Sequence, residues 1–195
     1  MRQLMIAEFI TLDGVIQAPG GQDEDLDGGF LHVGWTFPYW HDSIGQHFFE
    51  AMTHTDTLLL GRKTWEIHGG AFEPMVDDPF GNTMNALNKY VVSTTLSSAQ
   101  AWRNSTLIRQ NVVETVRELK QAEGKNIMLD GSSVLAHTLI EHDLVDEYVL
   151  HVYPLVLGTG KRLWPDGKRV NLTLVSSELL PTGVLYQRYR PARSG

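Results

Sequence analysis

A chain of 195 residues with 42% hydrophobic and 20% charged residues has the size and composition of one globular domain, so residues 1–195 are expected to form a single unit. A formal charge of −7 and a sequence pI near 5.5 argue against nucleic acid or an anionic membrane as the main partner, since both demand a basic surface. The lack of cysteine excludes disulfides, thiolate nucleophiles and sulfur-ligated metals; with no charged leader and no apolar run of membrane length, a cytoplasmic home is expected.

The first apolar run, about 3–10, reads as a strand with Glu8 in its middle. A buried carboxyl costs about 1–3 kcal/mol even as a poorly satisfied neutral group. Glu8 is therefore expected either to pair with an arginine, the favoured reading, or to be a pocket acid with a raised pKa. Asp13 to Ile16 follow, and then a Gly/Pro/acidic loop over 18–29, of the length that serves as a lid or binding loop. Asp23, Asp25, Asp27 and Gly28 open like a calcium loop, but the twelfth position is Gly34 where a bidentate Glu is required, so a solvated acidic loop is expected.

Gly34 to Trp40 is dense in aromatics and precedes a helix over about 43–53 that bears Phe48 and Phe49. The cluster suits a core or the wall of a pocket for a flat heterocycle, and both readings can hold. Leu58-Leu59-Leu60 then forms a strand over about 57–61 that runs through Gly61 into Arg62, Lys63 and Thr64, with a helix over about 64–68. Strand, turn and helix N-terminus in that order make an anion site. Glycine lets the backbone lie close to a ligand, while free N–H groups and the positive helix end favour phosphate.

A helix over about 80–88 leads to a strand over about 89–94 closed by Ser93 and Thr94, whose hydroxyls suit either a ligand crevice or a plain strand-end turn. A strand over about 106–109 and a helix over about 111–123 follow, with Val112, Val116 and Leu119 on one face. A second anion-site junction comes next, a strand over about 126–130, then Gly131, Ser132, Ser133 and Val134, opening a helix over about 132–142. Two such junctions suggest one ligand with several phosphates, although neither reads G-x-G-x-x-G. Strands over about 147–154, 171–178 and 183–190 end the chain, and the last two should form an antiparallel hairpin at the edge of a mainly parallel sheet. The eight His have no metal-ligand spacing, and no G-x-S-x-G elbow makes Ser132 or Ser133 a nucleophile, so no metal is expected.

Gly61 to Glu66, Tyr90 to Thr94, the Gly131 turn, Leu144-Val145-Asp146-Glu147 and Pro154 to Leu163 together resemble the dihydrofolate reductase superfamily. The closer likeness is to its riboflavin-biosynthesis branch, the reductase domain that acts on a phosphoribosylamino-pyrimidine. The resemblance runs from the first strand to Tyr189 and implies a dihydrofolate reductase-like three-layer α/β/α fold. It also implies NADPH, with Arg62, Lys63 and Thr64 on the 2′-phosphate and pyrophosphate, Ser93 and Thr94 at the adenosine, and Gly61, Gly131, Ser132, Ser133 and Val134 framing the turns.

Ile16 and Asp13 would adjoin the nicotinamide, with Asp13 the candidate catalytic residue and Glu8, Trp40, Phe48 and Phe49 the substrate pocket. Two positions depart from the family. Gly45 stands where dihydrofolate reductases carry the pterin-binding carboxylate, so folate reduction is not expected, and Asp130 replaces the first glycine of a Gly-Gly pair with unusual backbone geometry. The resemblance implies an NADPH-dependent reductase of a small heterocyclic or carbonyl substrate; the alternative, favoured by Gly45, is an NADP(H)-binding sensor or scaffold without turnover. A homodimer is implied too, with the apolar run Tyr148, Leu150, Val152, Leu155, Val156 and Leu157 as its patch.

Overall fold

The computed structural model describes residues 1–21 and 24–192, so Asp23, the first position of the calcium-like opening, lies outside the described residues. Eight strands are present, β1 (Leu4–Thr11), β2 (Thr55–Gly61), β3 (Asn88–Val92), β4 (Ser105–Ile108), β5 (Asn126–Asp130), β6 (Glu147–Tyr153), β7 (Leu172–Leu179) and β8 (Leu185–Pro191). They form one sheet in the order β4-β3-β2-β5-β1-β6-β8-β7, parallel from β4 to β6 and antiparallel through β8 and β7. The hairpin expected at the edge is β7–β8, closed by Leu180 N–H on Val184 O at 2.8 Å.

Side-chain alternation along the central strands makes the layers. Leu4 and Ile6 of β1, Leu59 of β2 and Leu129 of β5 pack on one face, with α4 (Val112–Gln121) and α5 (Ser133–Glu141). Met5, Ala7, Leu58, Leu60 and Met128 pack on the other, with α1 (Asp42–Thr53), α2 (Arg62–Phe72) and α3 (Pro79–Ala86). Strands buried on both faces read as continuous apolar runs, which is why β2 and β5 were legible without alternation of polarity. A third cluster of Val15, Phe30, Trp35 and Tyr153 holds the long loop after β1 against the sheet.

Helix starts differ in a way that matters for the site. At α1 the His41 ring accepts from Ser43 N–H, and at α3 Asp78 accepts from Gly81 N–H, so both ends are capped by side chains. At α2, α4 and α5 no side chain caps the N-terminus, and those of α2 and α5 follow the two glycine turns.

Of the run expected to form a dimer patch, Tyr148 and Leu150 are buried in the core, Val152, Leu155 and Leu157 are half-buried, and Val156 is exposed; the edge strand β7 adds exposed apolar surface at Leu174, Val175 and Leu179. Among the described residues no helix is long and apolar enough to cross a membrane.

Candidate active site

At the C-terminal ends of β1, β2 and β5 lies a cleft of about 560 Å³, the place where open α/β sheets bind ligands. Both strand–glycine–helix junctions open onto it, at Gly61 and at Gly131. The two junctions touch. A Cβ on Gly61 would meet Ser132 Oγ at 2.7 Å, and one on Gly131, whose φ is +71°, would meet Thr64 Cγ2 at 2.8 Å. Only glycine fits at either turn.

Ser132 is itself in the left-handed region at φ 71°, an uncommon place for a residue with a side chain. Its hydroxyl accepts from Gly61 N–H at 2.7 Å and lies 2.9 Å from Thr64 Oγ1. Ser132 thus joins the two turns to each other. The Asp130–Gly131 peptide is trans. With neither helix capped, the first N–H groups of α2 and α5 remain available to an anion from Lys63, Thr64, Ser133 and Val134, all of which line the cleft.

The acidic loop is not solvated as expected. Lys63 reaches Asp25 at 3.1 Å and also Asp27, while Lys161 reaches the same two carboxylates at 2.6 and 2.7 Å. Hydrogen bonds from Lys161 and Lys63 hold the Asp27 carboxyl down at about 2. The loop is latched by two lysines, one of which, Lys161, sequence reading did not single out. Arg62 is half-exposed, 3.7 Å from Glu66 one turn along α2.

Four expected site residues, Ser93, Thr94, Phe49 and Asp13, do not line the cleft. Ser93 Oγ instead accepts from Leu96 N–H at 3.0 Å, the plain strand-end turn. Phe49 points to solvent, 46% exposed, because it sits about 100° around α1 from Phe48, which does line the cleft. Asp13 is the fourth. Its carboxylate accepts from Thr11 Oγ1 at 2.6 Å, Gly158 N–H at 2.8 Å and Leu157 N–H at 3.2 Å, tying the end of β1 to the 155–160 loop. Burial tends to raise its pKa, but these hydrogen bonds outweigh it and hold Asp13 below the usual carboxylate range. A carboxylate so held is a brace and a poor proton donor, and it is not in the cleft.

Ile16, Trp40 and Phe48 line the cleft as expected. The aromatic segment divides its labour, with Trp35 buried and donating from Nε1 to Gln17 O at 2.8 Å while Trp40 stands half-exposed at the rim. Gly45 lines the cleft as well, with only Trp40 within 4 Å of where a Cβ would sit.

Glu8 is the acid in the cleft. It is 7% exposed, no arginine pairs with it among the described residues, and its Oε1 has no hydrogen-bond partner. Burial first, then the charge of Asp130, pushes its pKa well above the ordinary range. The favoured arginine pairing is therefore corrected to the other reading, a pocket acid. The strand register explains the neighbour, since Ala7 pairs with Asp130 across β1 and β5.

His68 Nε2 lies 2.9 Å from Asp130 Oδ2; burial disfavours its charge, yet Asp130 outweighs that and raises its pKa. Glu24 accepts from Gly20 N–H at 2.6 Å and is raised by burial. His68, Glu24 and Asp130 all line the cleft and were not foreseen as site residues. Asp130 had a signal, a carboxylate at the C-terminal end of a parallel strand. His68 and Glu24 had none.

The chain matches the model of the RibD C-terminal domain over residues 2–186. It is 32% identical over 194 residues to the uncharacterized protein YyaP of Bacillus subtilis (strain 168), covering 94% of this chain and 92% of that one. Among solved structures it is similar to a protein of Shewanella sp. PV-4 attributed to riboflavin biosynthesis, with a TM-score of 0.74 at 20% identity over 98% of this chain and 99% of the other. It is also similar to dihydrofolate reductase from Enterococcus faecalis, solved with NADP(H), at a TM-score of 0.61 and 18% identity over 98% and 97% of the two chains.

Proposed function

The chain belongs to the RibD C-terminal domain family, and from that premise we propose that it is an NADPH-dependent reductase of a small heterocyclic or carbonyl substrate, related to the 5-amino-6-(5-phosphoribosylamino)uracil reductase of riboflavin biosynthesis. The observation that carries this reading is the meeting, in one cleft, of the uncapped N-termini of α2 and α5 and a buried carboxyl whose pKa is pushed up by burial. The first suits a ligand with several phosphates. The second suits a reaction that needs a proton at its reacting atom.

The residues fit the cofactor. A Cβ at Gly61 or Gly131 would meet Ser132 or Thr64, so the glycines let the two turns sit side by side, and the N–H groups of α2 and α5 would hold a pyrophosphate. Arg62, half-exposed at the start of α2, would read the extra phosphate. When bound, NADPH supplies the hydride. Ile16, Phe9 and Phe48 give the reacting end an apolar wall that excludes water, and Glu8 places a proton beside it. After giving that proton, Glu8 takes another from the Asp130–His68–Glu24 group or from solvent.

Gly45 favours a second reading, a binding protein without turnover. Glu8, with its raised pKa, supports the reductase, because it offers from β1 the acid that α1 lacks. Titration separates the two. NADPH should bind more tightly than NADH, with a turnover screen of flat heterocycles and small carbonyls giving NADPH oxidation and dihydrofolate giving almost none. Equal affinity for the two cofactors, or no oxidation with any compound, would overturn the reading. The exposed edge strand β7 supports a homodimer, and light scattering should return twice the 21.9 kDa chain mass.

A further inference from the structure

Polar groups at the floor of the cleft differ in what they can touch. Glu8 Oε1 is sealed off, one of three buried side-chain atoms without a hydrogen-bond partner among the described residues, with Tyr153 OH and Thr182 Oγ1. His68 is open. It lines the cleft with 19% of its side chain exposed, and its Nε2 lies 2.9 Å from Asp130 Oδ2. Nδ1 has no hydrogen-bond partner among the described residues and is not one of the sealed atoms, so it is the ring nitrogen left accessible.

Asp130 decides what that nitrogen offers. Held at Nε2, the ring keeps one orientation, and Asp130 outweighs burial to favour the charged form, in which both nitrogens donate. The charged groups that act on His68 from the elements around it are both acidic, Asp130 of β5 and Glu24 of the loop after β1. The other cations among the described lining residues are engaged, Lys63 and Lys161 by Asp25 and Asp27, and Arg62 by Glu66. Beside this donor the cleft is aromatic. Phe72 meets the His68 ring edge-on at 5.5 Å, Phe80 stands 5.4 Å from Phe72, and Phe48 6.2 Å from Phe80. Helices α1, α2 and α3 thus give the cleft one wall of rings that ends at His68.

We propose that His68 selects the substrate: its Nδ1–H, aimed by Asp130, binds a neutral acceptor, a carbonyl oxygen or a ring nitrogen, on a flat apolar body that lies along Phe48, Phe80 and Phe72. The inference deepens the reductase reading and takes from it only the identity of the neighbouring cofactor. A hydrogen bond from a charged donor is worth about tenfold or more in affinity. A ligand with an ammonium at that place would meet a like charge instead. Proton linkage gives a second signature. In the neutral ring the remaining proton stays on Nε2 toward Asp130, and Nδ1 turns from donor to acceptor. Acceptor binding therefore weakens as pH rises through the folded pKa of His68, which Asp130 holds above the usual histidine value.

Calorimetric titration of the intact protein with indanone, indane and aminoindane, with and without NADP⁺, tests the proposal, because one bicyclic frame then carries a carbonyl oxygen, no polar atom or an ammonium at the same carbon. Indanone should bind about tenfold more tightly than indane, and aminoindane no more tightly than indane. In ¹H–¹⁵N spectra the His68 Nδ1 resonance should move with indanone and stay with indane. His68→Phe, which keeps a flat ring and removes the donor, should bring indanone down to indane, and His68→Gln, which keeps an N–H, should restore part of the difference. A mere brace would lower the stability of both variants and leave the ranking of the ligands unchanged. Should His68→Phe fail to fold, Asp130→Asn, which lets the ring turn and weakens its hold on the proton, should cut the preference. Equal binding of indanone and indane, tighter binding of aminoindane, a preference that survives His68→Phe or persists at alkaline pH, or no indanone binding at millimolar concentration would overturn the inference. Failure to bind NADP⁺ would sink the cofactor reading and leave the choice of acceptor standing.

Discussion

Two sets of carboxyl groups flank the same cleft and behave oppositely. At the latch, Asp25 and Asp27 meet Lys63 and Lys161, and Asp27 is held down at about 2. At the floor, Glu8 and Glu24 are both pushed up, by burial first and by the charge of Asp130 on each. Chemically these side chains are nearly the same. What separates them is the neighbour, a cation in one place and apolar wall or another acid in the other, and this lets one domain keep a depressed carboxylate and a raised one side by side.

Removing the floor acid should have the largest effect. Glu8→Gln is expected to lower turnover by about 10²–10⁴-fold, the usual worth of general acid help, while NADPH affinity measured by fluorescence titration stays within about twofold. Undiminished turnover in that variant would show that Glu8 is not the acid. Asp13→Asn sharpens the contrast from the brace side. It deprives Leu157 and Gly158 N–H of a charged acceptor and should cost about 1–3 kcal/mol of stability in urea unfolding, with turnover of the folded protein nearly kept. A large loss of turnover at unchanged stability would return Asp13 to the chemistry.

The smallest effect is in the pH dependence of stability, and here the two regions have opposite signs. The folded pKa of Glu8 is raised, so its contribution is fully present below the unfolded value of 4.5 and is lost as pH rises through the folded value. Asp27 is depressed, so its contribution is present above the unfolded value of 3.8 and is lost as pH falls through about 2. Unfolding midpoints in urea should therefore fall on the alkaline side in the wild type and fall less in Glu8→Gln. Acid sensitivity should soften in Asp27→Asn without touching the alkaline limb. A Glu8→Gln profile parallel to the wild type at all pH values would remove the floor from this account.

Among the described residues, the eight strands and five α-helices were legible in the sequence, because runs such as Leu58-Leu59-Leu60 and Ile127-Met128-Leu129 leave few other places for the chain to go, whereas the short 3-10 turns at Asp27–Gly29 and Phe37–Tyr39 were not. The junctions at Gly61 and Gly131 were legible for the same reason, since a backbone anion site is written locally, in consecutive residues. The floor and the latch were not. Lys161 meets Asp25 across 136 positions and His68 meets Asp130 across 62, and such pairings exist only once the sheet is built. Asp13 was misjudged because proximity along the chain to Ile16 says nothing of direction, and its side chain turns to the 155–160 loop. Ser93 had two equal explanations until its hydroxyl was seen to close its own turn.

The hydroxyl bridge from Ser132 to Gly61 fixes the distance between the two turns proposed to cradle phosphate, before any ligand arrives. A molecule that fills one cradle then finds the other already at its set spacing, so its second half binds at a high effective concentration, as in a chelate. Adenosine monophosphate or a lone nicotinamide nucleotide gains nothing from that spacing. The whole dinucleotide should therefore bind more tightly than its halves measured separately would suggest. Ser132→Ala, by letting the cradles drift, should shrink that surplus while leaving each half's affinity almost as it was.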